Sequence, residues 1–222
     1  MLLYFNQLTI LSPIQKKAFN CVFHDKLNII IGIKDSGKST LARAIFYTLG
    51  CDVKNFDFIE KFPENIYILE FSIAEKKYIL IRKRLKEGAG KNFFKVIDEE
   101  GTGIVFYNTE NFKEYLNEIF NINVIVKNKD YKDTKFYPNH IFLPFYTDQD
   151  NSWQNYLGGT FNSINFIENY KKILLEYFTG MRPNDYYNLQ LKKQGLMNEV
   201  EELKALIKSK NIIINENIEN IK

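Results

Sequence analysis

Cysteine and histidine are nearly absent from this chain, with two of each among 222 residues. Cys21 and Cys51 have no CxxC partner, and His24 and His140 stand at no metal-ligand spacing, which excludes a disulfide framework and a zinc-type cluster. Both cysteines are expected to be inert packing residues. Charge of one sign is lacking too: 30 basic against 27 acidic residues give a formal +3, far from a polybasic protein, so any nucleic-acid contact must be local. No apolar run approaches the roughly 18 residues that span a bilayer. The opening MLLYFNQLTI has no basic start, and Asn6 and Gln7 break its apolar stretch, unlike a signal peptide. A cytoplasmic protein without membrane contact is expected.

What is present is a globular composition, 45% hydrophobic and 15% aromatic, enough for one main domain with a sizeable core. Residues 2–11 and 18–23 read as short strands split by the turn SPIQKK. KLNIIIGI, residues 26–33, is a continuous apolar run of the kind that forms a fully buried central strand. From Ser39 the period becomes helical, with Leu41, Ala42, Ile45, Phe46 and Leu49 on one face and Gly50 placed as a C-cap. Residues 66–106 alternate as an antiparallel meander with turns at KEGAGK and DEEGTG. NTENFKEYLNEIF predicts a short amphipathic helix, HIFLPFY a strand interrupted by Pro144, and residues 164–178 a helix stopping at Gly180. Beyond RPND, heptad spacing places Leu189, Leu196 and Leu203 at one seam position and Val200, Ile207, Ile214 and Ile221 at the other. Such a helix is poorly stable alone and calls for a partner helix.

One motif carries chemistry. GIKDSGKST, residues 32–40, fits G-x-x-x-x-G-K-[ST] between an apolar run and a helix, the setting a phosphate-binding loop requires. Gly32 and Gly37 let the backbone wrap, so that N–H groups around Lys34, Asp35 and Ser36 and the helix start point at phosphates. Lys38 is expected to set its ammonium on the β- and γ-phosphates, Ser39 to ligate Mg²⁺, and Thr40 to reach the α-phosphate. The expected cofactors are therefore ATP and Mg²⁺.

In its order of elements (strand pair, phosphate loop, meander, then heptads) the chain resembles the N-terminal half-head of SMC/RecN-type ABC ATPases. The wording of GIKDSGKST and FLPFYTDQD is most similar to the SMC-like subunit of Lamassu-type anti-phage defence systems. The resemblance implies an α/β fold: the N-terminal lobe of an ABC-type ATPase over residues 1–181, leading into a coiled-coil arm over residues 182–222. By the same resemblance IFLPFYTDQD is a Q-loop, whose Gln149 would reach Mg²⁺ and the attacking water. The loop departs from the family's usual wording, because Lys34 and Asp35 stand where an Asn-Gly pair is common. Asp tolerates the left-handed conformation such a turn needs.

Two parts that hydrolysis requires are lacking. The chain has no LSGGQ-like signature, and the acids that FFKVIDEEG offers after apolar residues, Asp98 and Glu99, fit a hairpin turn better than a Walker B strand. The resemblance implies that a C-terminal half of the same head supplies them and that heads pair as homodimers on ATP. Double-stranded DNA and accessory or effector (nuclease) subunits are the other implied partners. KKYILIRKRLKEGAGK is the densest basic run. It puts Arg82 and Arg84 on one strand face and Lys83 on the other, either as a sequence-independent DNA stripe or as a lysine-protected sheet edge. A repair or recombination ATPase, a nucleotide-binding interaction module without turnover, and a stand-alone kinase are the alternative functions.

Overall fold

The computed structural model describes residues 3–85, 92–130, 132–142, 145–147, 167 and 169–219. Its centre is a six-stranded antiparallel sheet in the order β2-β1-β3-β4-β5-β6, made from β1 (Leu3–Ser12), β2 (Lys17–Val22), β3 (Ile66–Ile73), β4 (Lys76–Arg84), β5 (Asn92–Ile97) and β6 (Gly103–Phe106). The meander was legible because its central strands alternate: in β3, Tyr67, Leu69, Phe71 and Ile73 are buried while the residues between them are not. That inward phase continues across the register, since Leu69 pairs with Leu80, and Leu80 with Val96.

Helices pack on this inner face. α1 (Lys38–Thr48) lies across it and buries Leu41, Ala44, Ile45, Phe46 and Tyr47; Gly50, at φ 84, ends it as expected. α3 (Thr109–Ile119) begins where the Asn108 side chain accepts from Glu110 N at 2.7 Å. It closes the other end, with Phe112 stacked on Phe94 at 4.0 Å between ring centroids. Phe120 stacks on Phe71 and meets Phe142 edge-on, so an aromatic layer fills the space between sheet and helices. The short α2 (Phe58–Lys61) and the hairpin β7 (Ile125–Lys127) with β8 (Asp133–Lys135) complete this part. α5 (Tyr170–Phe178) and α6 (Asn184–Glu219) follow.

Three expectations need correction. Residues 26–33 belong to no strand; Ile31 is 89% and Ile33 83% exposed. The run has the composition of a buried strand, but none of the described strands pairs with it. HIFLPFY does not open as a strand: residues 138–142 form the helix α4 (Pro138–Phe142), all of it buried. Pro138 fixes a helical φ at its first position, and Tyr137 N–H donates to His140 Nδ1 at 3.1 Å. The helix expected over residues 164–178 starts later, at Tyr170, because Asn169 is left-handed (φ 52) and Ile167 forms a bridge with Asn128.

Burial, reinforced by the charge on Lys113, pushes the His140 pKa down to about 3. The folded state therefore keeps this imidazole neutral while the unfolded chain protonates it below the usual histidine value near 6.5. The associated stability is present above about pH 6.5 and is lost as pH falls toward about 3, at roughly 1.4 kcal/mol per unit. Denaturant titrations between about pH 6 and pH 5 should show this slope. His140→Asn, which keeps an acceptor for Tyr137 N–H, should flatten it; an unchanged slope would assign the proton to another group.

Candidate functional site

Residues 32–37 form an exposed loop that delivers the chain into α1. Ser36 N–H donates to Ile33 O at 3.3 Å, closing a turn in which Asp35 is left-handed at φ 62. Gly37, at φ 89, is the N-cap of α1 and offers no side chain to cap it, so the first N–H groups of the helix are left for an outside acceptor. A Cβ on Gly32 would collide with Ser36 Oγ; the loop wraps that tightly, which explains a glycine there.

Lys38 is the loop's organising cation. Its Nζ donates to Gly32 O at 2.8 Å and Ile33 O at 2.7 Å, with Ser36 Oγ at 3.4 Å. An ammonium held by neutral carbonyls alone is under-neutralised, and a polyphosphate would supply the missing negative charge. Ser39 and Thr40 lie on the first turn of α1, Ser39 exposed and Thr40 half-buried. The fold thus gathers Gly32, Lys34, Asp35, Ser36, Gly37, Lys38, Ser39 and Thr40 into one loop and helix start. A tight backbone cradle, an uncapped helix N-terminus, one ammonium and a hydroxyl fit a nucleotide's phosphates and their magnesium ion. Gln149, expected to join them, lies outside the described residues.

The basic stripe is not one surface. Arg82 is only 7% exposed because it is in phase with Leu80 on the inner face of β4. Its guanidinium lies 3.6 Å from the Tyr47 ring centroid and 5.0 Å from that of Phe94. One Nη donates to Tyr47 O, at the C-terminal end of α1, and the other to Asn92 Oδ1 at 3.1 Å. Arg82 therefore cannot touch DNA; its charge is set against a helix C-terminus and two aromatic faces. Arg84 is held by Glu60 at 2.7 Å. Lys83 faces the opposite side of the sheet, its Nζ 4.9 Å over Phe93. The Arg82–Tyr47 lock was missed from sequence, although the alternation of YILIR carries the signal, since it puts Arg82 in step with buried Leu80.

The remaining chemistry is structural. Asp98 Oδ1 accepts from Glu100 N at 3.1 Å and Thr102 N at 2.8 Å, so it caps the β5–β6 turn, in keeping with the hairpin reading. Burial pushes the Cys51 thiol up to about 12, which keeps it protonated and inert.

A meander sheet, a glycine-bounded loop and a helix led by Lys38 define a nucleotide-handling α/β domain, and residues 11–222 match the AAA domain family. The chain belongs to that family, whose members use nucleotides. It is also similar to two bacterial proteins called Lamassu protein LmuB. One, from Bacillus cereus strain VD014, is 30% identical over 192 residues, covering 85% of this chain and 32% of the relative. The other, from Bacillus sp. strain NIO-1130, is 28% identical over 203 residues, covering 90% of this chain and 34% of the relative. The chain thus spans about a third of the length of these curated relatives. No helix among the described residues is long and apolar enough to cross a membrane.

Proposed function

We propose that residues 1–181 are the Mg-ATP-binding N-terminal lobe of an SMC-like ATPase head and residues 182–222 the start of its coiled-coil arm. A C-terminal half carrying signature and Walker B motifs completes the head, and two heads pair on ATP. The observation that carries this reading is the Lys38 ammonium held on the loop carbonyls beneath an uncapped helix N-terminus. When bound, Mg-ATP supplies a phosphoanhydride whose cleavage can drive a switch between engaged and released heads. On this chain Lys38 would turn from Gly32 O and Ile33 O to phosphate oxygens, and the free N–H groups at the α1 start would hold further oxygens. Ser39 would offer its hydroxyl to the metal, and Gln149 would orient the attacking water.

Two features support a head completed from elsewhere. The apolar run of residues 26–33 is exposed just before the loop, and Leu189, Leu196, Leu203 and Ile207 of α6 are all more than half exposed. Both are faces that a strand and a helix outside this chain would cover. The similarity to the Lamassu proteins favours anti-phage defence over repair. Double-stranded DNA would meet the outer face of the sheet, where Lys77, Lys83 and Lys95 share one side of β4 and β5.

The test is Mg-ATP binding and steady-state hydrolysis by the 222-residue chain and its Lys38→Ala variant. Loss of two charge-assisted hydrogen bonds to phosphate should weaken binding about 100-fold or more. Unchanged affinity in the variant would remove the loop from the nucleotide site. Hydrolysis should need the rest of the head; turnover by the short chain that Lys38→Ala abolishes would place the catalytic base within these residues.

A further inference from the structure

We infer that Asp35 weakens polyphosphate binding at this loop and speeds release, a role that rests on the phosphate-loop reading above. Between Gly32 and Thr48 it is the sole acidic residue, against Lys34, Lys38 and Arg43. The first turn of α1 carries no acid either. Asp35 is exposed, and no cation among the described residues pairs with it. No ion pair among the described residues therefore holds its carboxylate, while Lys38 directs its own hydrogen bonds to Gly32 O and Ile33 O.

Asp35 stands three positions before Lys38, which bounds their Cα atoms to within about 11 Å. That is close to the Debye length of roughly 8–10 Å at moderate salt, so a carboxylate there still opposes phosphate oxygens gathered at Lys38. The conformation explains why a charged residue is tolerated at all. At φ 62 most side chains are strained, whereas Asp and Asn adopt the left-handed region more readily. An asparagine would satisfy the turn without repelling phosphate. Choosing aspartate thus adds one charge, with no change in backbone preference, at the mouth of the loop. Since affinity differences between closely related complexes fall mostly on dissociation, the charge is read out as faster nucleotide release.

The experiment uses the 222-residue chain with N-methylanthraniloyl-ATP and Mg²⁺, comparing the wild type with Asp35→Asn, Asp35→Gly and Lys38→Ala. Asp35→Asn should bind about five- to tenfold more tightly at about 0.05–0.15 M salt, with a slower dissociation rate, and the gain should shrink toward about 0.5 M. Asp35→Gly removes the same charge and should gain as much. Equal or weaker binding by Asp35→Asn overturns the inference, as does a gain in the glycine variant alone, which would assign the effect to backbone strain. Wild-type binding lost in Lys38→Ala but unaltered in Asp35→Asn sinks only the role of Asp35. Binding indifferent to Lys38 sinks the phosphate loop itself and this role with it.

Discussion

Replacing Arg82 by alanine is expected to destabilise the 222-residue chain by about 3–5 kcal/mol, read as a lower denaturation midpoint at unchanged slope. The change empties the space between Tyr47 and Phe94, removes a cation–π contact at 3.6 Å and frees Asn92 Oδ1 from its Arg82 donor. Tyr47 O is less exposed to loss, because Gly50 N–H also donates to it at 3.0 Å. Volume is then the larger part of the effect, and Arg82→Met should cost only about 1.5 kcal/mol or less. Arg82→Glu is the opposite case. It would bury a carboxylate against the carbonyl end of a helix and should prevent folding. A loss of DNA binding in that variant would report unfolding; Lys83→Glu with Lys95→Glu is the informative pair for the outer face. If Arg82→Ala stays within about 1 kcal/mol of wild type, the lock between α1 and the sheet carries little of the stability.

Features fixed by local periodicity were legible in the sequence. The alternation of IYILEFSI and KKYILIRKRL set β3 and β4, and helical spacing followed by Gly50 set α1. The glycine-bounded loop ahead of α1 was readable because all its parts lie within nine consecutive residues. Features that depend on distant partners were not. HIF and the apolar run before the loop look alike by composition, yet one forms the buried helix α4 and the other lies exposed. Short apolar runs do not carry their own period. Arg82 was given its strand face correctly, together with Arg84, but that face was not recognised as the inner one it shares with Leu80. Facing Tyr47 across 35 positions is a tertiary fact, and only Leu80, two residues away, hinted at it.

The second large effect concerns residues 26–33. Leu27, Ile29, Ile31 and Ile33 alternate along this run, and each is more than 70% exposed. Burying one such side chain is worth about 1.5–3 kcal/mol, so a strand partner would gain several times that amount on one face alone. Because they flank Gly32, the same partner would brace the loop that leads into α1. In the completed head proposed above, Ile31→Asp is therefore expected to abolish Mg-ATP turnover and to lower the melting temperature by many degrees. In the 222-residue chain, where Ile31 is already in water, the substitution should change stability by less than about 0.5 kcal/mol. Hydrogen exchange offers the matching readout: amides of residues 29–33 should exchange fast in the 222-residue chain and slowly in the completed head. Equal, fast exchange in both would mean that no strand covers this run, and the completed-head reading would lose its main structural support. A fall in the stability of the 222-residue chain as large as that in the completed head would show instead that the run packs within this chain.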